Sequence, residues 1–248
     1  MKQAFFFTAI TSLLVACYSP SGKNSADSAK TNSTKIIPVE PSRLYGIDIS
    51  AYQGDEIDFL TRKQDSLTFV ICKATLGETE TDPDFKTNWT LIPQKGFTRG
   101  AYHFYECDDD PTLQAQHYLS IIGALSPNDL PPILDFEQLG LAGVTDVKKI
   151  QSDLLIFLSK IESATGRTPM IYVSPDFANS YLNNPAFSKY PLYVADYDGE
   201  FQPAIPSVWN LAGWTFWQKS DTLKLDGNVN DFDAFNGDQK ALQSFIRN

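Results

Sequence analysis

From residue 44 onward the chain repeats one pattern: short runs of β-branched and aromatic residues, separated by polar intervals of which several carry a helical period. Eight runs read as strands: "LYGIDIS" (44–50), "LTFVICKAT" (67–75), "FTRGAYHFY" (97–105), "PPILDFE" (131–137), "TPMIYVS" (168–174), "PLYVADY" (191–197), "WTFWQKS" (214–220) and "VNDFDAF" (229–235). Several are almost continuously apolar, as strands covered on both faces should be. Helices are predicted over 82–96, 110–125 and 144–166. In the third, Leu154, Leu155, Leu158 and Ile161 share a face, with Thr145 as the expected cap and Gly166 as the stop. Later intervals are shorter and richer in Pro and Gly. A βα alternation that fades toward its end predicts an α/β fold, a TIM-like (β/α) barrel whose last strands lack full crossover helices.

The first 41 residues do not share this pattern. Lys2, the apolar run Ala4 to Ala16 and the small residue at Ala16 read as an export signal over 1–16, its apolar part too short to span a bilayer. "LVAC" resembles a bacterial lipobox, which makes Cys17 the expected lipidation site and membrane anchor. Residues 17–41 are rich in Ser, Asn, Lys and Thr and read as a flexible tether. The globular part, 42–248, is then one domain, expected to act as a monomer in the cell envelope, facing the periplasm or the exterior. Without the charges before Ser42 its net charge is near −12, which argues against nucleic acid as a partner. Cys72 and Cys107 either pair or remain buried thiols, the latter being the default. No metal-ligand spacing is present, and neither metal nor cofactor is expected.

"PPILDFEQ" places two carboxylates two positions apart, so Asp135 and Glu137 project from the same side of a strand. In barrels of this kind, chemistry gathers at the C-terminal ends of the strands. There the chain places Asp48, Tyr102, His103, Asp135, Glu137, Asp196, Tyr197, Gln218, Asp231 and Asp233. Crowded carboxylates cannot all ionise, so one retains a proton near neutral pH. Glu137, with the longer reach, is the expected acid and Asp135 the group that stays charged. Tyr102, Tyr197, Trp214 and Trp217 are candidates for a sugar-stacking floor, the two tryptophans on opposite faces by the period of two. His103 reads equally as a packing residue or a ligand contact, and His117 as structural.

In order, "YGIDISAYQG", "FVICKAT", "DPDFKTNW", "GAYHFY", "PILDFE", "IYVSP", "LYVADY", "FWQ" and "NDFDAFNG" resemble the motifs of glycoside hydrolase family 25, lysozymes that cleave peptidoglycan. The resemblance implies about five βα units followed by strands. It also implies hydrolysis, with retention, of the β-1,4 bond between N-acetylmuramic acid and N-acetylglucosamine in peptidoglycan glycan strands. Glu137 then matches the family's general acid/base, Asp135 the first acid of its D-x-E pair, Asp48 the acid of the first strand and Asp231 that of the last. Asp135 would assist attack by the substrate's own acetamido group; an enzyme nucleophile, Asp231 or Asp48, stays open. His103, Tyr102, Asp196, Tyr197, Trp217 and Gln218 are the expected substrate contacts. Three positions depart from the family's habit: Tyr52 where Trp is usual, Leu76 where an acid is common with Glu78 two places on, and Asp233 where Asn is frequent. The rival readings are a glycosidase of another N-acetylhexosamine polymer such as chitin, and a non-catalytic wall-binding lipoprotein that keeps the barrel as a scaffold.

Overall fold

The structure, a computed structural model, describes residues 42–53, 67–225 and 228–247. The export signal, Cys17 and the tether lie outside the described residues. All eight expected strands form: β1 Leu44–Ile49, β2 Leu67–Leu76, β4 Thr98–Phe104, β5 Ile133–Asp135, β6 Met170–Val173, β7 Leu192–Ala195, β8 Phe216–Leu225 and β9 Asn228–Phe235. A two-residue strand, β3 Glu80–Thr81, pairs with the end of β2. The order β1-β9-β8-β7-β6-β5-β4-β2 is closed by parallel pairing of β1 with β2, so the sheet is a barrel. Every neighbouring pair in it is parallel except those of β9, which runs against both β8 and β1.

The alternation of side chains sorts the core into two layers. Phe69, Ile71, Ile133, Met170, Tyr172, Tyr193, Phe216 and Phe235 point into the barrel. Val70, Cys72, Leu134, Phe136, Ile171, Val173, Leu192 and Val194, one residue out of phase, pack under the outer layer. That layer holds α1 Phe85–Gln94, α2 Pro111–Ile122, α3 Val147–Thr165 and α4 Pro175–Tyr181. Between β7 and β8 the chain makes only a 3-10 turn, Ser207–Trp209, the expected loss of crossover helices. The chain ends in α5 Gln239–Arg247, whose Leu242 and Ile246 join the barrel interior.

The helix ends follow local chemistry. The Asp110 side chain accepts from the N–H groups of Thr112 and Leu113 at the start of α2, with Pro111 in the first turn. On α3 the cap is Asp146 rather than the expected Thr145: its carboxylate accepts from Lys148 and Lys149 N–H. Gly166 ends that helix at φ 68°, a left-handed conformation glycine adopts without strain. On the buried face Phe157 takes the place expected for Leu155, which is only partly buried.

Two helix side chains hold the strands that matter below. Tyr118 of α2 donates to Ala101 O of β4 (2.7 Å) and accepts from Ile133 N of β5 (3.2 Å), bridging the two strands. The Gln114 amide of α2 donates to Glu106 O and accepts from Glu106 N, clamping the loop after β4. Cys72 and Cys107 are buried free thiols, and burial pushes Cys107 up to about 12.

Candidate active site

The inward side chains at the C-terminal ends of the parallel strands, together with Asp231 of β9, line a cavity of about 160 Å³ at one mouth of the barrel. Asp48, Tyr102, Asp135, Glu137, Tyr197, Gln218 and Asp231, all expected site residues, line it. It shares Glu137, Tyr172 and Tyr197 with a second cavity of about 470 Å³, which runs along Gln138, Ser174, Phe177 and Asp196. The two form one open groove, suited to an extended chain rather than a small enclosed ligand.

Asp135 ends β5, and Glu137 follows in extended backbone (φ −126°, ψ 168°), so both carboxyls face the mouth. Phe136 between them points the other way, onto Phe177 (ring centroids 4.8 Å apart) and Tyr181 of α4. Behind Glu137 the 3-10 turn Gln138–Leu141 packs tightly against the end of β4: Cys107 N donates to Gly140 O (2.7 Å), and a Cβ on Gly140 would lie 2.1 Å from Tyr105 O. Only glycine permits that approach.

Asp135 is buried, and its Oδ1 receives no hydrogen bond from any described N–H or hydroxyl; its side-chain partner is the Glu137 carboxyl. Two carboxyls can hydrogen-bond only while a proton remains between them. Burial raises Asp135 well above the usual carboxylate range, with the charges of Glu137 and Asp48 adding to it. Burial also raises Glu137, against the lowering effects of its hydrogen bonds with Asp135 and Tyr172 and of the Lys73 ammonium. The pair therefore shares a proton, and the deeper member, Asp135, holds it more firmly than sequence reasoning expects. Sequence reasoning gives the charge to Asp135 and the proton to Glu137; the burial of Asp135 makes that proton one the pair shares.

On the opposite wall, Asp48 and Asp231 are register partners of β1 and β9 and hydrogen-bond each other. Asp48 Oδ2 accepts from Gln218 Nε2 (2.7 Å) and lies 3.3 Å from the Tyr193 hydroxyl. Gln218 Oε1 in turn accepts from Tyr172 (2.8 Å) and Tyr197 (2.5 Å). This glutamine, itself on β8, ties β1 to β6 and to the end of β7. Burial raises Asp48 well above its ordinary value and raises Asp231 as well.

Two expected substrate contacts are not in the groove. Trp217 is fully buried in the layer outside the barrel, its indole N–H donating to Asp196 O (2.7 Å). Gln218, one residue on, took the inward position. Trp214 precedes β8, so the strand period does not govern it, and it packs edge-on to Trp217 on the same side (5.8 Å). His103 is likewise fully buried. Thr75 Oγ1 lies 2.7 Å from its Nδ1 and Gln114 Oε1 3.1 Å from its Nε2. Because Gln114 Oε1 can only accept, His103 is the neutral Nε2–H tautomer, and burial pushes it down to about 3. A register shift between Lys73 and Thr75 lets Lys73 pair with inward Tyr102 while Thr75 pairs with outward His103. Asp196 lines the second cavity, where its carboxylate also accepts from Ala204 N (2.7 Å).

Three residues absent from the sequence reading complete the site: Lys73, Tyr172 and Tyr193. The tyrosines stood in runs that read as core, but Tyr172 is the register partner of Asp135, a position that faces the mouth. Of the three departures, Tyr52 projects into solvent (95% exposed). Glu78 accepts from Asp110 N at the start of α2, and Asp233 is fully buried beneath the cavity.

The family model described as Glycosyl hydrolases family 25 matches residues 47–228. The chain is 35% identical over 211 residues to "Uncharacterized protein YegX" of Escherichia coli (strain K12), covering 82% of this chain and 73% of that one. It is 33% identical over 224 residues to "N,O-diacetylmuramidase" of Arthroderma benhamiae, covering 85% and 90%. The solved structure of a family GH25 lysozyme from Aspergillus fumigatus superposes with a TM-score of 0.75 at 31% identity, covering 84% of this chain and 100% of that one.

Proposed function

The chain belongs to glycosyl hydrolase family 25, and from that premise we propose that it is a muramidase, cleaving the β-1,4 bond between N-acetylmuramic acid and N-acetylglucosamine in peptidoglycan with retention. The observation that carries the reading is the Asp135–Glu137 pair, a buried and a partly buried carboxyl in hydrogen-bond contact at the floor of an open groove.

One shared proton serves both roles that the reaction needs. When Glu137 holds it, Glu137 donates to the leaving glycosidic oxygen and Asp135 is the anion. As the bond from the anomeric carbon to that oxygen breaks, the acetamido oxygen of the muramic acid sugar bonds to the anomeric carbon. Asp135 Oδ1, which has no protein donor among the described residues, accepts the acetamido N–H and stabilises the cationic ring. Water then attacks the anomeric carbon, gives a proton to Glu137 and reopens the acetamide, so two inversions leave the configuration retained. Asp231 and Asp48 form the far wall and supply negative potential to the positive transition state.

Residues 1–16 act as an export signal, and a lipid on Cys17 holds the catalytic domain, a monomer, at the cell envelope. Mass spectrometry of fragments released from purified peptidoglycan tests the activity: new reducing ends on muramic acid are expected. Reducing ends on glucosamine, or release from chitin alone, would overturn it. Labelling with a fatty-acid analogue tests the anchor, and a Cys17→Ala variant that still takes up label would exclude Cys17 as the site.

A further inference from the structure

Asp233 lies on β9 two residues beyond Asp231, on the same inward face, and is fully buried. It does not line the groove. The Tyr193 hydroxyl donates to its Oδ1 (2.6 Å), and the same hydroxyl sits 3.3 Å from Asp48 Oδ2. Its Oδ2 is buried with no described N–H or hydroxyl donor, and its remaining side-chain partner is the Asp48 carboxyl. Asp48 in turn hydrogen-bonds Asp231. Three carboxyls thus stand in a row from beneath the floor to the groove wall.

A hydrogen bond between two carboxyls requires a proton on one of them, and burial decides which. Asp233 is the most enclosed, so the cost of charge is highest there. We infer that Asp233 is a positioning residue for the muramidase reaction: its carboxyl keeps its proton under the groove and donates it to Asp48, so that the negative charge of the row resides at Asp231 on the open wall. The inference rests on the muramidase reading for its role, while the protonation of Asp233 stands on the packing alone. Titratable groups facing Asp233 are Asp48 from β1, Tyr193 from β7 and Asp231 from its own strand; Gln218, its register partner on β8, is uncharged. Burial first, and Asp48 second, raise Asp233 well above the ordinary range. As pH rises through that value, a buried charge forms at Asp233 beneath the one already at Asp231, the hydrogen bond to Asp48 is lost, and the wall loses its order.

The test is an Asp233→Asn variant, which keeps the shape and a permanent donor but removes the ionisation. In peptidoglycan hydrolysis the alkaline limb of the normalised pH profile should move up by roughly one pH unit, the effect of removing a neighbouring like charge. Its slope should also fall by one proton. A profile that superimposes on the parent's, or that drops by the same factor at every pH, overturns the inference. Independently of activity, carbon-13 NMR of aspartate-labelled protein should show one carboxyl, lost in Asp233→Asn, that stays protonated at pH 6. If the resonance lost in the variant titrates below pH 5, the inference fails even where muramidase activity is intact. A parent protein that releases no fragments at any pH fails the muramidase reading and leaves the NMR result to decide Asp233.

Discussion

Asp48 and Asp231 sit opposite each other in register across the antiparallel β1–β9 pair and share a hydrogen bond, although they come from the first and last strands of the barrel. The reversal of β9 makes this possible. A parallel last strand would offer the mouth its C-terminal end, whereas β9 offers its first half and leaves Phe235, near its end, in the barrel interior. The far wall of the groove therefore exists only once the barrel has closed.

Glu137→Gln removes the proton donor and keeps the shape. Its rate of peptidoglycan hydrolysis should fall at least about a hundredfold, the lower end of what a positioned acid contributes, with the circular dichroism spectrum unchanged. Activity equal to the parent's would refute the assignment.

Lys73 lowers both Asp135 and Glu137 by its charge. The acid must be protonated to act, so activity falls as pH rises through the raised value of the pair. In Lys73→Met that lowering influence is gone, and the alkaline limb of the rate profile should move to higher pH. A limb that stays put or moves to lower pH would show that Lys73 does not act on the pair.

The legible and illegible parts of the site divide on one property. Carboxylates at the ends of apolar strands are conspicuous because burial makes them costly, so Asp48, Asp135, Glu137 and Asp231 stood out in the sequence. Aromatic residues have no such contrast. Tyr172 and Tyr193 look like core and face the groove, whereas Trp217 looks like a sugar platform and faces the outer layer. Only the phase of each short strand decides, and β6, β7 and the start of β8 are too short and too uniformly apolar to display it. For the same reason the eight strands were evident from composition. The brief helices α4 and α5 were missed, since a turn or two of chain gives the period little room.

Asp135→Asn should exchange activity for stability in a pH-dependent way. The folded-state value of Asp135 is raised above its unfolded one, first by burial. Its contribution to stability is thus fully present below about pH 3.9 and lost as pH rises through the folded value. Relative to the parent, the asparagine variant should melt higher at pH 7 than at pH 4. Calorimetry at the two pH values checks this, and an equal difference at both would show that Asp135 is not held protonated.

Gly140→Ala forces the turn behind Glu137 away from Tyr105 O. Displacement of the acid by a fraction of an ångström to an ångström should lower turnover about tenfold to a hundredfold while the fold persists. Unchanged turnover would mean that the turn does not set the position of Glu137.

Trp217→Ala should reveal a residue of the packing layer. We expect a loss of about 3–5 kcal/mol of stability in denaturant titration, with KM for soluble glycan fragments unchanged at a temperature where the variant is folded. A raised KM with intact stability would return Trp217 to the list of sugar contacts.

Phe136, clamped on α4 between two acids that face the other way, gives β5 a strict sense of odd and even. Swapping one side chain for another in this stretch alters a contact. Adding or deleting one residue before Glu137 would exchange the two faces, pressing carboxyls into the oily layer and presenting a phenyl ring to the sugar. Over evolutionary time, then, this segment is freer to vary in spelling than in length.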